Sequence, residues 1–321
     1  ANKLGARRLQ ELFTKWTREQ VSEGCTGIIE AVTRRMRAGI ADLPDGKYEF
    51  TDVLDDDGMG TTNIPICVKI DIQSDEIWLN FEGSASQVAG NMNNSFAGLQ
   101  ASVLFALKVL IDPDGPTNHG MLDPVHIDAP EASVVNASFP AATAARAQTC
   151  QRIIDVILGA LAPAVPERVI AACNGANGVA TFSGEGPDGQ YYLYMETIGG
   201  GAGGRSYQDG SDGIQVHVTN TSNLPVEALE NEYPLLVERY ELVENSGGAG
   251  KWRGGMGLRR VYRGLGHTLT FSGQGERAVT PPWGLFGGKG GGTGSISLIN
   301  PDGSKELLDI KPASLQVEPT K

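Results

Sequence analysis

The chain is short of cysteine, of histidine and of positive charge. Its 321 residues include only four cysteines and four histidines, and 38 acidic residues outweigh 26 lysines and arginines, for a formal net charge of −12. Cys25, Cys67, Cys150 and Cys173 stand far apart and form no Cys-x-x-Cys pair, so neither a disulfide framework nor a zinc-ribbon spacing is present. Reduced, buried, structural thiols in a cytoplasmic protein are expected. The acidic balance, with a pI near 4.8, repels phosphate backbones and anionic lipid and so argues against nucleic acid or a membrane surface as a partner. No apolar run of about 18 residues occurs, and Ala1 to Leu12 is polar and charged. Neither a membrane span nor a secretory signal is expected.

Several catalytic signatures are missing as well. There is no Gly-x-Ser-x-Gly elbow, and Ser84, Ser95, Ser246 and Ser272 have no assignable histidine partner, which disfavours a serine hydrolase. The run Asp55-Asp-Asp-Gly58 lacks the alternating ligands and closing Glu of a calcium loop and reads as a solvated turn. His119, Asp123 and His126 fall close together, but Pro124 breaks any helix there and the spacing matches no zinc motif. No metal site is expected on this chain.

Glycine is what the chain has in excess, 43 residues without a Gly-X-Y period. Turns, bulges and close backbone approaches follow from that composition. Apolar residues spaced three and four apart predict helix over the first forty residues, interrupted near Gly24 and ended near Gly39. Strands are expected at Tyr48 to Leu54, Ile64 to Ile72 and Glu76 to Phe81, joined by Asp/Gly turns. Two buried helices are expected, Ser95 to Ile111 and Ala147 to Leu161, before Pro163 and Pro166. Extended runs follow at Val179 to Phe182, Tyr191 to Met195, Ile214 to Val218 and Leu235 to Leu242. A closing hairpin turns at Asn300-Pro-Asp-Gly303. Phe182-Ser-Gly-Glu-Gly186 and Phe271-Ser-Gly-Gln-Gly275 look alike, but their flanks differ and no internal repeat is expected. The fold class is α+β, mainly antiparallel strands with a few long buried helices and a β-rich carboxyl-terminal region. A boundary is expected between 1–220 and 221–321.

Three glycine clusters invite a nucleotide reading: Gly199 to Gly204, Gly247 to Gly250 and Gly287 to Gly294. A phosphate cradle needs a strand, the loop and then a helix, with a Lys-Ser/Thr pair in the P-loop case. None of the three complies. Tight turns and chain crossings are one reading, and an anion or oxyanion nest in the Gly199 to Gly204 loop is another. Glu196 stands at the end of an expected strand beside that loop, and a second run delivers His217 and then Asn220. General acid or base work by Glu196 or His217 is one reading, and ordinary solvent-facing residues the other. Arg146, just before a buried helix, is a carboxylate or phosphate clamp or a plain salt-bridge partner.

The chain resembles the hydantoinase B/oxoprolinase family through an ordered series of motifs. They include Gly90-Asn-Met-Asn-Asn-Ser95, Pro116-Thr-Asn-His-Gly120, Asp128-Ala-Pro-Glu-Ala-Ser133 and Gln151-Arg-Ile-Ile-Asp155. Glu196-Thr-Ile-Gly-Gly-Gly201, Asp209-Gly-Ser-Asp-Gly213, Thr219-Asn-Thr221, Pro225-Val-Glu227, Gly275-Glu-Arg277 and Pro282-Trp-Gly284 continue it. The resemblance implies ATP-dependent ring opening of a hydantoin, 5-oxoproline or lactam beside a hydantoinase A-type ATPase subunit. ATP and Mg would then be bound by that partner, in keeping with the missing nucleotide loop. A ketone carboxylase of the acetone or acetophenone type and a non-catalytic structural subunit are the alternatives. Full-length relatives resemble a metal protein in an Asp- and His-rich segment preceding the region matched here, so a divalent metal would belong to that missing amino-terminal segment. Carried over by position are catalytic Arg146, Glu196 and His217, with Gly199, Gly200, Gly201, Asp209, Asn220 and Glu227 as substrate-binding.

Overall fold

In a computed structural model, residues 1–319 are described. The chain opens with two helices, α1 (Asn2–Lys15) and α2 (Arg18–Ala41). The break falls at Trp16 and Thr17 rather than near Gly24, because Thr17 and Gln20 form a capping box that starts α2 afresh. Gly24 lies inside α2 with open space around it. α2 buries Val32, Met36 and Ile40 on one stripe, the four-residue spacing that faces a core.

Strands β1 (Gly46–Asp56), β2 (Thr62–Gln73) and β3 (Glu76–Asn80) form the expected antiparallel meander. Along β2 the residues Ile64, Ile66, Val68, Ile70 and Ile72 are all buried, the two-residue period of a strand with one face on a core. Helix α3 (Phe96–Ile111) precedes β4 (Val125–Asp128), which joins β3 in parallel at the sheet edge. Helix α4 (Arg146–Leu161) then crosses against β1, β2 and α3. It is buried from Gln148 to Leu161 apart from half-buried Cys150. At Gly159 a side chain would sit 2.8 Å from the Phe50 ring, so glycine is what lets α4 approach β1.

The second half is built from short strands. β5 (Gly178–Glu185) pairs with β6 (Tyr191–Ile198). A short helix α5 (Val226–Glu232) leads into the hairpin of β7 (Leu235–Leu242) and β8 (Leu258–Gly264). β9 (Leu269–Gln274) returns to β5, β10 (Ile296–Ile299) and β11 (Lys305–Leu308) form the closing hairpin, and β12 (Leu315–Val317) completes a sheet ordered β12-β9-β5-β6. The two look-alike segments are neighbours in this sheet, with Phe182 opposite Phe271. The second apolar core gathers residues from Ala180 to Val317, so it draws on both sides of residue 220.

Two expectations are corrected. Ile214 to Val218 is not a strand but a loop touching Gly200 through a single bridge. Gly213, His217 and Asn220 hold positive φ, which a β-ladder does not accept. Of the cysteines only Cys173 is buried, while Cys25 is exposed and Cys67 and Cys150 are half-buried. No helix among the described residues is long and apolar enough to cross a membrane.

The glycines separate by environment, and this is testable in urea. Gly24→Ala is expected to raise stability by about 0.5–1 kcal/mol, since helix-interior glycine carries that penalty and nothing obstructs a methyl there. Gly201→Ala drives a methyl into the Gly255 carbonyl and is expected to lower stability by roughly 1–3 kcal/mol. Equal midpoints for the two variants would contradict this account of the loop.

Candidate functional site

Helix α4 carries two charges inside an apolar stripe, Arg152 and Asp155, flanked by buried Ile153, Ile154, Val156 and Ile157. They cannot stay buried unpaired. Asp155 accepts from the Arg277 guanidinium through Oδ2 at 2.9 Å, and its Oδ1 lies 3.1 Å from His217 Nε2. Cys173 Sγ donates to that same Oδ1 at 3.5 Å. Arg277 is shared with Asp52 on β1 at 2.8 Å, and the Trp283 indole N–H donates to Asp52 at 2.9 Å. Arg152 lies at ion-pair distance from Asp52 (3.1 Å) and Glu276 (3.5 Å), but its nitrogens are not aligned for hydrogen bonds. Lys311 completes the chain of charges by donating to Glu276 at 2.7 Å.

The electrostatics follow from burial and pairing. Burial works against the Asp155 charge, yet His217, Arg277 and Arg152 outweigh it and hold the carboxyl below its ordinary value. Burial would lower His217 too, but Cys173 and Asp155 together push it up to about 10. Burial raises Glu276 against the pull of Lys311 and Arg152. Asp55 is held below its usual range, since against burial it accepts the N–H groups of Ala278, Val279 and Thr280. That cap fixes the loop following Arg277.

A cavity of about 1150 Å³ opens beside this network. Its wall includes the Gly199 to Gly204 loop, Cys173, Asn174, Arg260, Glu276 and Arg277. The loop is extended: the Gly200 N–H donates to Ile214 O and the Ala202 N–H to Ser211 O. None of Gly199 to Gly204 has positive φ, so the backbone is not the alternating turn that makes a nest. The amides of Gly201 and Gly203 donate to no backbone carbonyl among the described residues. The glycines serve chain crossings. Side chains at Gly201 and Gly203 would overlap the carbonyls of Gly255 and Ala171, and the Gly255 N–H donates to Ala202 O. Arg253 pins this crossing by a fork to Asp212 at 2.7 and 3.0 Å.

The site residues expected from the sequence fall in several places. Glu196 is buried on β6 and holds Arg260 at 2.6 Å, with Asn223 and the Tyr262 hydroxyl also donating to it. Arg260 in turn stacks on Tyr240 at 4.3 Å and faces the cavity. His217 belongs to the Asp155 cluster and shares no hydrogen bond with Glu196. Arg146 opens α4 on the surface, outside the cavity wall. Asp209 accepts the Arg253 N–H at 3.0 Å, while Asn220 and Glu227 are exposed, the latter in the first turn of α5. His119, Asp123 and His126 do not converge, since Asp123 accepts from Thr33 and His126 stacks on Trp78 beside Glu76. Sequence reasoning gave no site role to Asp52, Arg152, Asp155, Glu276 or Arg277, and took Cys173 for a structural thiol. The available signal was an Arg and an Asp three residues apart among the isoleucines and valine of a helix expected to be buried.

Comparison with known proteins gives the class. The Hydantoinase B/oxoprolinase family model matches residues 1–321, and the chain belongs to that family. It is 38% identical to an uncharacterized protein of Methanocaldococcus jannaschii, over 96% of this chain and 53% of that one. It is 33% identical to caprolactamase subunit beta of Pseudomonas jessenii, over 89% of this chain and 50% of that one. The crystal structure of the ATP-dependent caprolactamase from Pseudomonas jessenii superposes with a TM-score of 0.90 at 27% identity, covering 99% of this chain and 56% of that one. The chain thus spans about half the length of these relatives.

Removing one member of the buried network strands its partners. Asp155→Asn and Arg277→Met are each expected to lower unfolding free energy by about 3–5 kcal/mol, against well under 1 for Arg259→Met in the exposed pair with Glu241. Chemical denaturation distinguishes them. Similar losses at all three positions would show that burial of the network is not what matters.

Proposed function

We propose that this chain forms the ring-opening side of an ATP-dependent cyclic amide hydrolase and works with a hydantoinase A-type ATPase subunit that binds ATP and Mg. The observation that carries it is the cavity, walled by the Gly199 to Gly204 loop and Cys173, with the His217–Asp155 pair directly behind the thiol. Family membership and the caprolactamase likeness supply the chemistry such a cavity would serve.

In this reading a hydantoin, 5-oxoproline or lactam ring enters the cavity after activation by the partner. The Gly201 and Gly203 amides, unused by other backbone carbonyls, meet its carbonyl oxygen and stabilise the charge that grows there. Glu196 acts through Arg260: a neutralised guanidinium stacked on Tyr240 is held in one orientation at the cavity wall. His217 and Asp155 set the charge at the opposite edge, behind Cys173. Asp209 supports the glycine loop by way of Arg253. Gly199 and Gly200 keep the backbone close to Ile214 and Asn174. Arg146, Asn220 and Glu227 lie outside the cavity wall and are available to an adjoining chain segment or subunit.

The test is turnover of the assembled complex. His217→Ala and Glu196→Gln are each expected to cut cyclic-amide-dependent ATP consumption and ring opening at least about tenfold, the lower end of single-group effects. Near-normal turnover in both would leave a structural subunit. ATP consumption that requires bicarbonate and a ketone instead of a cyclic amide would replace this reading with a carboxylase.

A further inference from the structure

We propose that Asp155, Cys173 and His217 form a three-ligand site for a divalent cation of the zinc class. One carboxylate oxygen, one sulfur and one imidazole nitrogen lie within 4.8 Å of one another. Asp155 Oδ1 is 3.5 Å from Cys173 Sγ and 3.1 Å from His217 Nε2. Tetrahedral zinc sites, with bonds of about 2.0–2.3 Å, place neighbouring ligand atoms roughly 3.3–3.6 Å apart. Two of the three edges therefore already lie near those of such a tetrahedron, and the third, from sulfur to imidazole nitrogen, is within 4.8 Å. A mixed sulfur, nitrogen and oxygen donor set suits borderline cations such as zinc or cobalt(II) and not magnesium or calcium.

The surroundings are those of a built site. Ligating groups need outer partners that fix their orientation. Here Arg277 holds the other carboxylate oxygen of Asp155 at 2.9 Å. Gln151 donates to Val216 O at 3.1 Å and to the Thr219 hydroxyl at 2.9 Å, clamping the turn that presents His217. His217 itself is held at φ +50°, a left-handed conformation that a non-glycine residue keeps only where the surroundings impose it. One thiolate and one carboxylate balance a dication, while Asp52 and Glu276 offset the neighbouring guanidinium groups. On binding, the Cys173 thiol proton and any proton on Nε2 are released to solvent as the metal–sulfur and metal–nitrogen bonds form. Three protein ligands leave a fourth position for water or substrate, and Cys173 lies on the cavity wall. The ion's use in ring opening rests on the function proposed above, whereas its binding needs no ATP, partner or cyclic amide.

The experiment titrates the purified metal-free protein with cobalt(II) in the absence of nucleotide and amide. The expected result is one cobalt per chain, with tetrahedral visible bands and a thiolate-to-cobalt charge-transfer band in the near ultraviolet. Cys173→Ser should abolish the charge-transfer band and weaken binding at least about tenfold. Cys25→Ser, at an exposed thiol far from the cluster in sequence, should change neither. X-ray absorption on the zinc-loaded wild-type chain should show one sulfur among nitrogen and oxygen neighbours, a reading that needs no variant. No stoichiometric uptake, a band that survives Cys173→Ser, or a zinc shell without sulfur would each overturn the site. Because turnover is not measured, these outcomes stand apart from success or failure of the ring-opening reading.

Discussion

The fold depends on the burial of Arg277 between Asp52 and Asp155. Those two carboxylates sit on β1 and α4, inside the first core, whereas Arg277 follows β9 of the second sheet. A buried ion cluster of this kind does little for net stability compared with an apolar packing of the same shape, but it tolerates no missing member. What it supplies is register. The 276–283 loop pairs Arg277 and Trp283 with Asp52 and Arg277 with Asp155, brings Glu276 to ion-pair distance of Arg152, and gives Asp55 the three amides that follow Arg277. The two apolar cores are thereby tied to one another, together with the Phe50–Trp283 ring contact, and the cavity opens beside the join.

The same arrangement explains the glycines. Loops that cross at backbone distance leave no room for a Cβ, as at Gly201 against Gly255 and Gly203 against Ala171. The glycine crossings thus put main chain on one part of the cavity wall, beside side chains such as Phe182, Tyr262, Phe271 and Trp283. Three buried charged groups reach it already paired: Arg260 with Glu196, Arg277 with Asp52 and Asp155, Glu276 with Lys311. Such groups are oriented before a substrate arrives and need little rearrangement when charge develops.

Much of the first half was legible in the sequence because its signals are local. The two-residue period of β2 and the wide apolar stripe of α4 place β1–β3, α3 and α4 close to where they are found. The helix break at Thr17 was missed because a capping box outweighs a glycine whose space is open. The 214–218 run was misread as a strand because apolar alternation says nothing of the positive φ at Gly213 and His217. The glycine loop and His217 were legible as candidates, but the partners that define them were not. Asp155 meets Arg277 across 122 residues and Asp52 meets it across 225. Pairings at that separation leave no periodicity to read. The motifs of Gln151 to Asp155 and Gly275 to Arg277 pointed to the family, and only the fold shows that they are two sides of one ion cluster.

The central claim is that the cavity beside this cluster receives a cyclic amide. A crystal structure of the protein in its complex, with a hydantoin or lactam bound, tests it most directly. The account predicts the ring inside the cavity, its carbonyl oxygen against the Gly201 and Gly203 amides and its edge near Cys173. A ring bound elsewhere, with the Gly199 to Gly204 loop closed into a subunit interface, would contradict it.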